Sequence, residues 1–191
     1  MLWSERASAP AALPVPDGPL WVFAYGSLMW DPGFPHEAIL PAEIDGYARA
    51  FCVRSRGHRG TPEQPGLVVG LTPGGQCRGL LILAEERHKP SILDYLWRRE
   101  MDLADGYRPH QVSARLDDGR RIEALTFVAD LAHEAYAGLL PIEEAARRIA
   151  AAHGQRGSNR DYLERTLAQL ARLDIQDASL IDLGRAVEKL G

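Results

Sequence analysis

Cysteine is scarce in this sequence, with only Cys52 and Cys77 among 191 residues. Two cysteines are too few for a disulfide framework, and they do not form the C-x-x-C pair that is typical of redox or zinc chemistry. We therefore expect a protein of the reducing cytoplasm. Free cysteine is among the most buried residue types, so both thiols are expected to pack in the core and to take no catalytic role.

The sequence also lacks the features of membrane proteins and of nucleic-acid-binding proteins. No run of about 18 consecutive apolar residues occurs, and the first residues lack the basic stretch and apolar core of a secretory signal. The formal net charge is −4, with 22 Lys and Arg against 26 Asp and Glu. Attraction to phosphate backbones or anionic lipid needs clustered basic residues. We expect neither a membrane nor a nucleic acid as partner.

Motifs for metal and nucleotide binding are missing too. The histidines are scattered, at His36, His58, His88, His110, His133 and His153. No two of them have the spacing of a helical metal pair. The glycine-rich segment 72–75 lacks the Lys and the Ser or Thr of a phosphate-binding loop. The sequence therefore predicts no metal site and no bound nucleotide.

The length and composition favour one globular domain behind a short tail. A chain of 191 residues, 46% of them hydrophobic, can bury one sizeable core. Residues 1–19 carry four prolines among alanines, a composition that cannot form a regular helix. We expect an extended or disordered tail at 1–19 and a single domain at 20–191.

Both strands and helices are predicted within that domain. Aromatic and β-branched residues predict strands at 20–25, 48–54, 67–71 and 79–83, with a turn at 72–75. Alternating apolar residues around Asp117-Asp118-Gly119 predict a hairpin of 111–116 with 121–128. Helical periodicity predicts helices at 91–103, 142–153 and 159–173. This mixture without a βαβ rhythm indicates an α+β class.

One carboxylate falls on the apolar face of a predicted helix. Between 91 and 103, the positions i, i+3, i+7 and i+10 are Leu93, Leu96, Glu100 and Leu103. Burial of a carboxylate raises its pKa, which suits a group that transfers protons near neutral pH. The spacing leaves a structural alternative open, in which Arg98 or Arg99 pairs with this glutamate at the helix edge.

A sharp turn is expected where the first strand ends, at Tyr25-Gly26-Ser27-Leu28. Gly26 lets the backbone turn and leaves N–H groups that can face a carboxylate or an oxyanion. The alternative is an ordinary strand-ending turn in which Ser27 satisfies local backbone groups. Ser27 lies in no G-x-S-x-G sequence, which disfavours a serine nucleophile. A second irregular segment, the glycine- and proline-rich loop at 55–66, is expected to be long and mobile, as loops near sites often are.

Three segments together resemble the ChaC-like γ-glutamylcyclotransferases in order and spacing. They are the stretch 22–30 around the Tyr-Gly-Ser-Leu sequence, the loop stretch 58–66, and the stretch 95–100 that ends in Arg99-Glu100. The resemblance extends over roughly residues 20–185. It implies a small mixed β-barrel-like sheet with flanking helices.

The resemblance also implies a reaction and the residues that perform it. The expected activity is cleavage of glutathione to 5-oxoproline and Cys-Gly, without a cofactor, by attack of the α-amine on the γ-carbonyl. Glu100 would be the general acid/base, and the Tyr25-Gly26-Ser27-Leu28 turn would bind the γ-glutamyl group. Arg59, ahead of Arg54, would pair with a substrate carboxylate.

The sequence departs from the family pattern in three places. Met101 stands where many relatives carry a lysine, and Gln155-Arg156 precedes Gly157 where a Pro-containing turn is common. Ser55 stands where some eukaryotic relatives have an aspartate, and this departure concerns how the peptide end of the substrate is held. Other γ-glutamyl amines or amino acids are therefore alternative substrates, and a non-catalytic regulatory binding protein is an alternative of another class. The expected partner is a small γ-glutamyl molecule.

Overall fold

A computed structural model of the chain describes residues 13–15, 17–102 and 106–191. Most of the predicted tail at 1–19 lies outside these residues, as does Leu103. The described chain divides into two compact units. The first holds the described residues up to Ala48 together with Pro73–Val128, and the second holds Arg49–Thr72 together with Ala129–Gly191. That residues 20–191 behave as a single domain stays a prediction.

Five strands form a closed barrel in the order β1-β3-β2-β4-β5. They are β1 (Trp21–Ala24), β2 (His36–Ser55), β3 (Gly66–Ala84), β4 (Tyr107–Leu116) and β5 (Arg121–Ala129). Strand β1 is antiparallel to β3 and parallel to β5, and β2 is antiparallel to β4. The sheet is therefore mixed, as predicted.

The described part of the chain also contains four α-helices. They are α1 (Lys89–Trp97), α2 (Ile142–Ala151), α3 (Asn159–Arg172) and α4 (Ala178–Glu188). A short pair of strands, β6 (His153–Gly154) and β7 (Gly157–Ser158), lies between α2 and α3. Barrel and helices together confirm the predicted α+β class. Among the described residues, no helix is both long enough and apolar enough to cross a membrane.

Strand β1 belongs to the first unit. Val22, Phe23 and Ala24 are almost fully buried, because the strand pairs with a neighbour on either side. Phe23 is opposite Leu81 of β3, and its carbonyl accepts a 2.9 Å hydrogen bond from Thr126 Oγ1 on β5. This packing fixes the point at which the Tyr-Gly-Ser-Leu turn begins.

The predicted turn at 72–75 is wrong, because β3 continues through it. Gly74 and Gly75 have φ of 102° and 76° and are exposed. Glycine inside a strand often marks a bulge or bend at which pairing continues. Similarly, β2 begins at His36 rather than near 48, although Pro41 and Gly46 lie within it.

The second unit contains three of the helices. The predicted helices at 142–153 and 159–173 are confirmed as α2 and α3, with small shifts at their ends. The Ser158 hydroxyl caps α3 by accepting a 3.0 Å hydrogen bond from Asp161 N. Helix α4 was not predicted, although Asp177 precedes it as an N-cap and buried apolar residues recur at helical spacing, at Leu180, Leu183 and Val187.

Both cysteines are free and buried, as predicted. Burial raises the pKa of the Cys52 thiol to about 12, which keeps it protonated at neutral pH. Cys52 packs in the second unit, where a Cβ on Gly70 would come within 2.9 Å of its sulfur. These properties fit packing residues rather than nucleophiles.

Candidate active site

The turn that follows β1 lies in the first unit and is built on one short 3₁₀ turn, Ser27–Met29. Met29 N donates to Gly26 O at 2.9 Å, and Asp31 N donates to Ser27 O at 3.0 Å. The N–H groups of Ser27 and Leu28 precede these bonds, so the turn itself does not use them.

Two side chains anchor the turn. Tyr25 Oη donates a 2.6 Å hydrogen bond to the carbonyl of Phe127, in a buried position. Leu28 is buried, with 7% of its surface exposed. The turn is thus fixed at both ends, and a rigid turn is what a binding role for its backbone requires.

The predicted helix at 91–103 changes character before Glu100. Helix α1 ends at Trp97 and a single π-helical turn, Arg98–Asp102, follows it. Ile92 and Leu96 form the buried face of α1, whereas Leu93 is only half-buried. The apolar stripe inferred from an ideal α-helix is therefore wrong in detail. Short π-helical segments inside helices are frequent at functional sites.

The π-helical turn directs two consecutive charged side chains inward. The side chains of Arg99 and Glu100 are only 9% and 15% exposed, and Arg99 Nε lies 3.1 Å from Glu100 Oε1. The ion pair between Arg99 and Glu100, which the sequence left open as an alternative, is therefore present. It lies in a largely buried position and not at an exposed helix edge. The other candidate, Arg98, pairs with Asp94 at 3.2 Å.

Arg99 brings the two predicted parts of the site together. Its Nη2 donates to Ser27 Oγ at 2.9 Å, while its Nε faces the Glu100 carboxylate. A nearby guanidinium favours the charged form of a carboxylate, and burial disfavours it, so Glu100 experiences both effects. A shielded carboxylate beside a rigid turn can accept a proton and return it within one reaction cycle.

The two predicted arginines lie in the second unit, and Arg59 belongs to the loop that follows β2. Its Nη1 donates to Arg156 O at 2.6 Å and to Ser158 O at 3.3 Å. The guanidinium lies over the Tyr162 ring, 5.3 Å from the centroid. Burial lowers the pKa of Arg59 from its ordinary value, although arginine stays charged throughout the working range of pH.

The loop that carries Arg59 is held by its own backbone. Thr61 N donates to Gln64 O at 3.1 Å, and Arg59 N donates to Ser55 Oγ at 3.0 Å. A Cβ on Gly60 would lie 2.6 Å from Ser55 O and 2.7 Å from Gln64 O. Only glycine fits there, so the loop is closely folded. Its predicted mobility stays a prediction.

Arg54 makes contacts of a structural kind. Its Nη1 donates to Glu134 O at 2.7 Å and to Tyr136 O at 2.9 Å, and its backbone N donates to Ala135 O at 2.7 Å. These bonds tie the end of β2 to the segment 134–136. A substrate contact for Arg54 therefore has less support than one for Arg59.

The sequence prediction missed the importance of Arg99 and Tyr95. In the sequence, Arg99 is only a competing ion-pair partner for Glu100, and Tyr95 is only the first residue of the resembling stretch 95–100. The signal that could have found them is their spacing, because i and i+4 are neighbours on a helix. In the structure, Arg99 Nη1 donates to Tyr95 Oη at 2.7 Å.

Comparison with known proteins extends over almost the whole chain. The family described as ChaC-like protein matches residues 20–190. A protein of Escherichia coli named glutathione-specific gamma-glutamylcyclotransferase is 38% identical over 100% of this chain and 84% of its own length. The human glutathione-specific gamma-glutamylcyclotransferase 1 is 33% identical over 96% of this chain and 86% of its own.

Comparison with solved structures finds the same group of proteins. A crystal structure of the yeast gamma-glutamyl cyclotransferase specific to glutathione superimposes with a TM-score of 0.84 at 26% identity, covering 91% of this chain and 97% of that one. The chain belongs to the ChaC-like protein family.

Proposed function

We propose that this chain is a cytoplasmic γ-glutamylcyclotransferase that cleaves glutathione to 5-oxoproline and Cys-Gly without a cofactor. The observation that carries the proposal is the 38% identity, over 100% of this chain, to a protein named for that activity. Glu100 and the Tyr25-Gly26-Ser27-Leu28 turn match the family's catalytic and binding motifs. The small number of cysteines, both of them free and buried, supports the cytoplasmic location.

The reaction needs one group that moves a single proton. The substrate α-amine forms a bond to the γ-carbonyl carbon, and the bond from that carbon to the cysteine nitrogen breaks. Glu100 takes a proton from the attacking amine and gives it to the departing one. One carboxylate serves both steps, so the overall reaction leaves the enzyme unchanged.

The remaining contribution is positioning. Folding a flexible γ-glutamyl chain into a five-membered-ring geometry can be worth about 7–11 kcal/mol of barrier when it is held as a near-attack conformer. The anchored turn at Tyr25 and Leu28 supplies a rigid surface for this purpose. The N–H groups of Ser27 and Leu28 would offset the charge that develops on the γ-carbonyl oxygen, at about 3–4 kcal/mol per donor.

A product assay on the purified protein tests the proposal. Glutathione, γ-Glu-Ala and γ-glutamyl-lysine are supplied side by side, and release of 5-oxoproline is followed. Release from glutathione alone supports a glutathione-specific enzyme. Turnover of the other compounds instead would show that the substrates are other γ-glutamyl amines or amino acids. Tight binding of a γ-glutamyl compound without release from any of them would favour a regulatory binding protein.

Replacement of Arg59 should weaken substrate binding. We propose that Arg59 pairs with a substrate carboxylate, because Nη1 alone accounts for the side-chain hydrogen bonds of Arg59 to described residues and a guanidinium has five donors. Arg59→Ala is expected to raise KM by about 10-fold to 100-fold, since a hydrogen bond to a charged group is worth about 1.5–3 kcal/mol.

The matched control for this variant is Arg56→Ala. Arg56 lies in the same segment but forms a surface pair with Glu134, and its side chain is 37% exposed. Initial-rate kinetics should give this control a KM close to that of the unmodified chain. Equal KM values in the two variants would remove Arg59 from the binding residues.

A further inference from the structure

The guanidinium of Arg99 makes several hydrogen bonds within the first unit. Its Nη1 donates to Asp31 O and to Tyr95 Oη, both at 2.7 Å. Its Nη2 donates to Ser27 Oγ at 2.9 Å, and its Nε lies 3.1 Å from Glu100 Oε1. All three nitrogen atoms are therefore engaged, each in a different direction, by a side chain that is 9% exposed.

The backbone that follows the 3₁₀ turn is shaped around this guanidinium. Besides Asp31 O, the carbonyl of Pro32 lies 3.4 Å from Arg99 Nη1. Gly33 has a φ of 71°, which favours glycine. A Cβ there would overlap the Tyr95 hydroxyl and would lie 3.3 Å from Arg99 Nη1. These close contacts indicate that the backbone of 31–33 is shaped to hold the Arg99 guanidinium, and that the contact is not incidental.

The groups around Arg99 favour its charged form. Burial acts to lower the pKa of Arg99, but the Glu100 carboxylate and the Tyr95 hydroxyl outweigh it, so that the pKa lies above its ordinary value. Asp31 acts in the same direction from the loop. Strand β4 also contacts the π-helical turn, and the titratable or charged residues at the start of this strand are Tyr107, Arg108 and His110. The guanidinium remains charged at any working pH.

We propose that Arg99 is a positioning residue for the reaction, holding the Glu100 carboxylate and the substrate-binding turn in one fixed relation through Ser27. This inference rests on the proposed function, because Glu100 is the acid/base only in that reaction. A planar guanidinium suits the task, since it donates in several fixed directions at once, whereas an ammonium is a compact point charge on a flexible stem. Neither contact requires Arg99 to touch the substrate.

Arg99→Lys tests the positioning role while keeping the charge. The lysine cannot reach Ser27, Tyr95 and Glu100 together, so the carboxylate loses its fixed direction. Because a misplacement of about 1 Å can cost about 100-fold in rate, kcat with glutathione should fall by about that factor, while KM changes by less than about threefold. Arg98→Lys, on the same turn but 46% exposed and paired with Asp94, is the matched control and should keep kcat.

Arg99→Gln adds a second measurement, the pH dependence of kcat/KM, which a purely structural role of Arg99 would leave unchanged. Loss of the positive charge removes an effect that favours the ionised Glu100, so the carboxylate should become protonated at a higher pH. The acidic limb of the kcat/KM profile should therefore move to higher pH. In Arg99→Lys, which retains a cation, the limb should move less.

Three outcomes separate the two proposals. If the unmodified chain releases no 5-oxoproline from any γ-glutamyl compound, the proposed function fails first. If it is active, and Arg99→Lys keeps kcat within about twofold with the acidic limb of Arg99→Gln unmoved, the positioning role is overturned. Should the Arg99 variants not fold, Tyr95→Phe decides, because it removes only the hydroxyl acceptor. Its kcat should fall by about threefold to 10-fold, and an unchanged kcat would overturn the role.

Discussion

Glu100→Gln is expected to remove nearly all release of 5-oxoproline, by about 10²-fold to 10⁴-fold in kcat, the range over which a general acid/base acts. Glutamine is close to isosteric with glutamate, and its amide oxygen can still accept from Arg99 Nε, which lies 3.1 Å from the present carboxylate. It cannot take up a proton at neutral pH. The substitution therefore removes proton transfer while it keeps the geometry of the side chain.

Two further measurements make this result interpretable. Binding of glutathione, followed by calorimetry, should stay within a few fold of the unmodified chain, and the melting temperature should move little. Glu86→Gln is the matched control, since its side chain is 66% exposed and lies 3.9 Å from Lys89. A Glu100→Gln protein with near-normal turnover would exclude this residue as the acid/base.

Asn159→Ala is expected to give the largest loss of stability. Asn159 is fully buried at the start of α3. Its Oδ1 accepts from Leu67 N at 2.6 Å, and its Nδ2 donates to Leu67 O at 2.7 Å. Alanine would leave two buried backbone groups without these partners, each at a cost of about 1–3 kcal/mol. The free energy of unfolding should fall by about 2–6 kcal/mol in urea denaturation.

The geometry of this contact also predicts how a conservative change behaves. Asn159→Asp keeps the acceptor for Leu67 N but turns a carboxylate oxygen toward Leu67 O, so it should not restore stability. Glu164→Ala, at an exposed position of the same helix, should stay within about 0.5 kcal/mol. If Asn159→Ala unfolds at the same urea concentration as Glu164→Ala, the amide does not hold β3 and α3 in place.

Elements with a strong local pattern could be predicted from the sequence. Strand β1 and the β4–β5 hairpin follow from β-branched and alternating residues, and helices α2 and α3 follow from helical periodicity. The motif residues of the candidate site were found by resemblance to a family. Their catalytic and binding roles stay predictions, to be tested by the variants above.

Other features depend on contacts between distant parts of the chain. The glycines at 74 and 75 predict a turn by local chemistry, yet β3 continues because its pairing outweighs that preference. The pattern of α1 assumes 3.6 residues per turn throughout, so it cannot predict a π-helical segment. The contact of Arg99 with Ser27, 72 residues earlier in the chain, has no local signal at all.

The π-helical turn makes the length of this segment as important as its composition. Because π-helical bonds span five residues rather than four, Arg98–Asp102 holds one residue more than an α-helical turn would. A homologue that lost one residue here would keep a continuous helix and its apolar residues. The segment would then take α-helical spacing, and the side chains of Arg99 and Glu100 would no longer point in their present directions. Substitutions at the less buried positions of this segment should therefore be tolerated more readily than single-residue deletions.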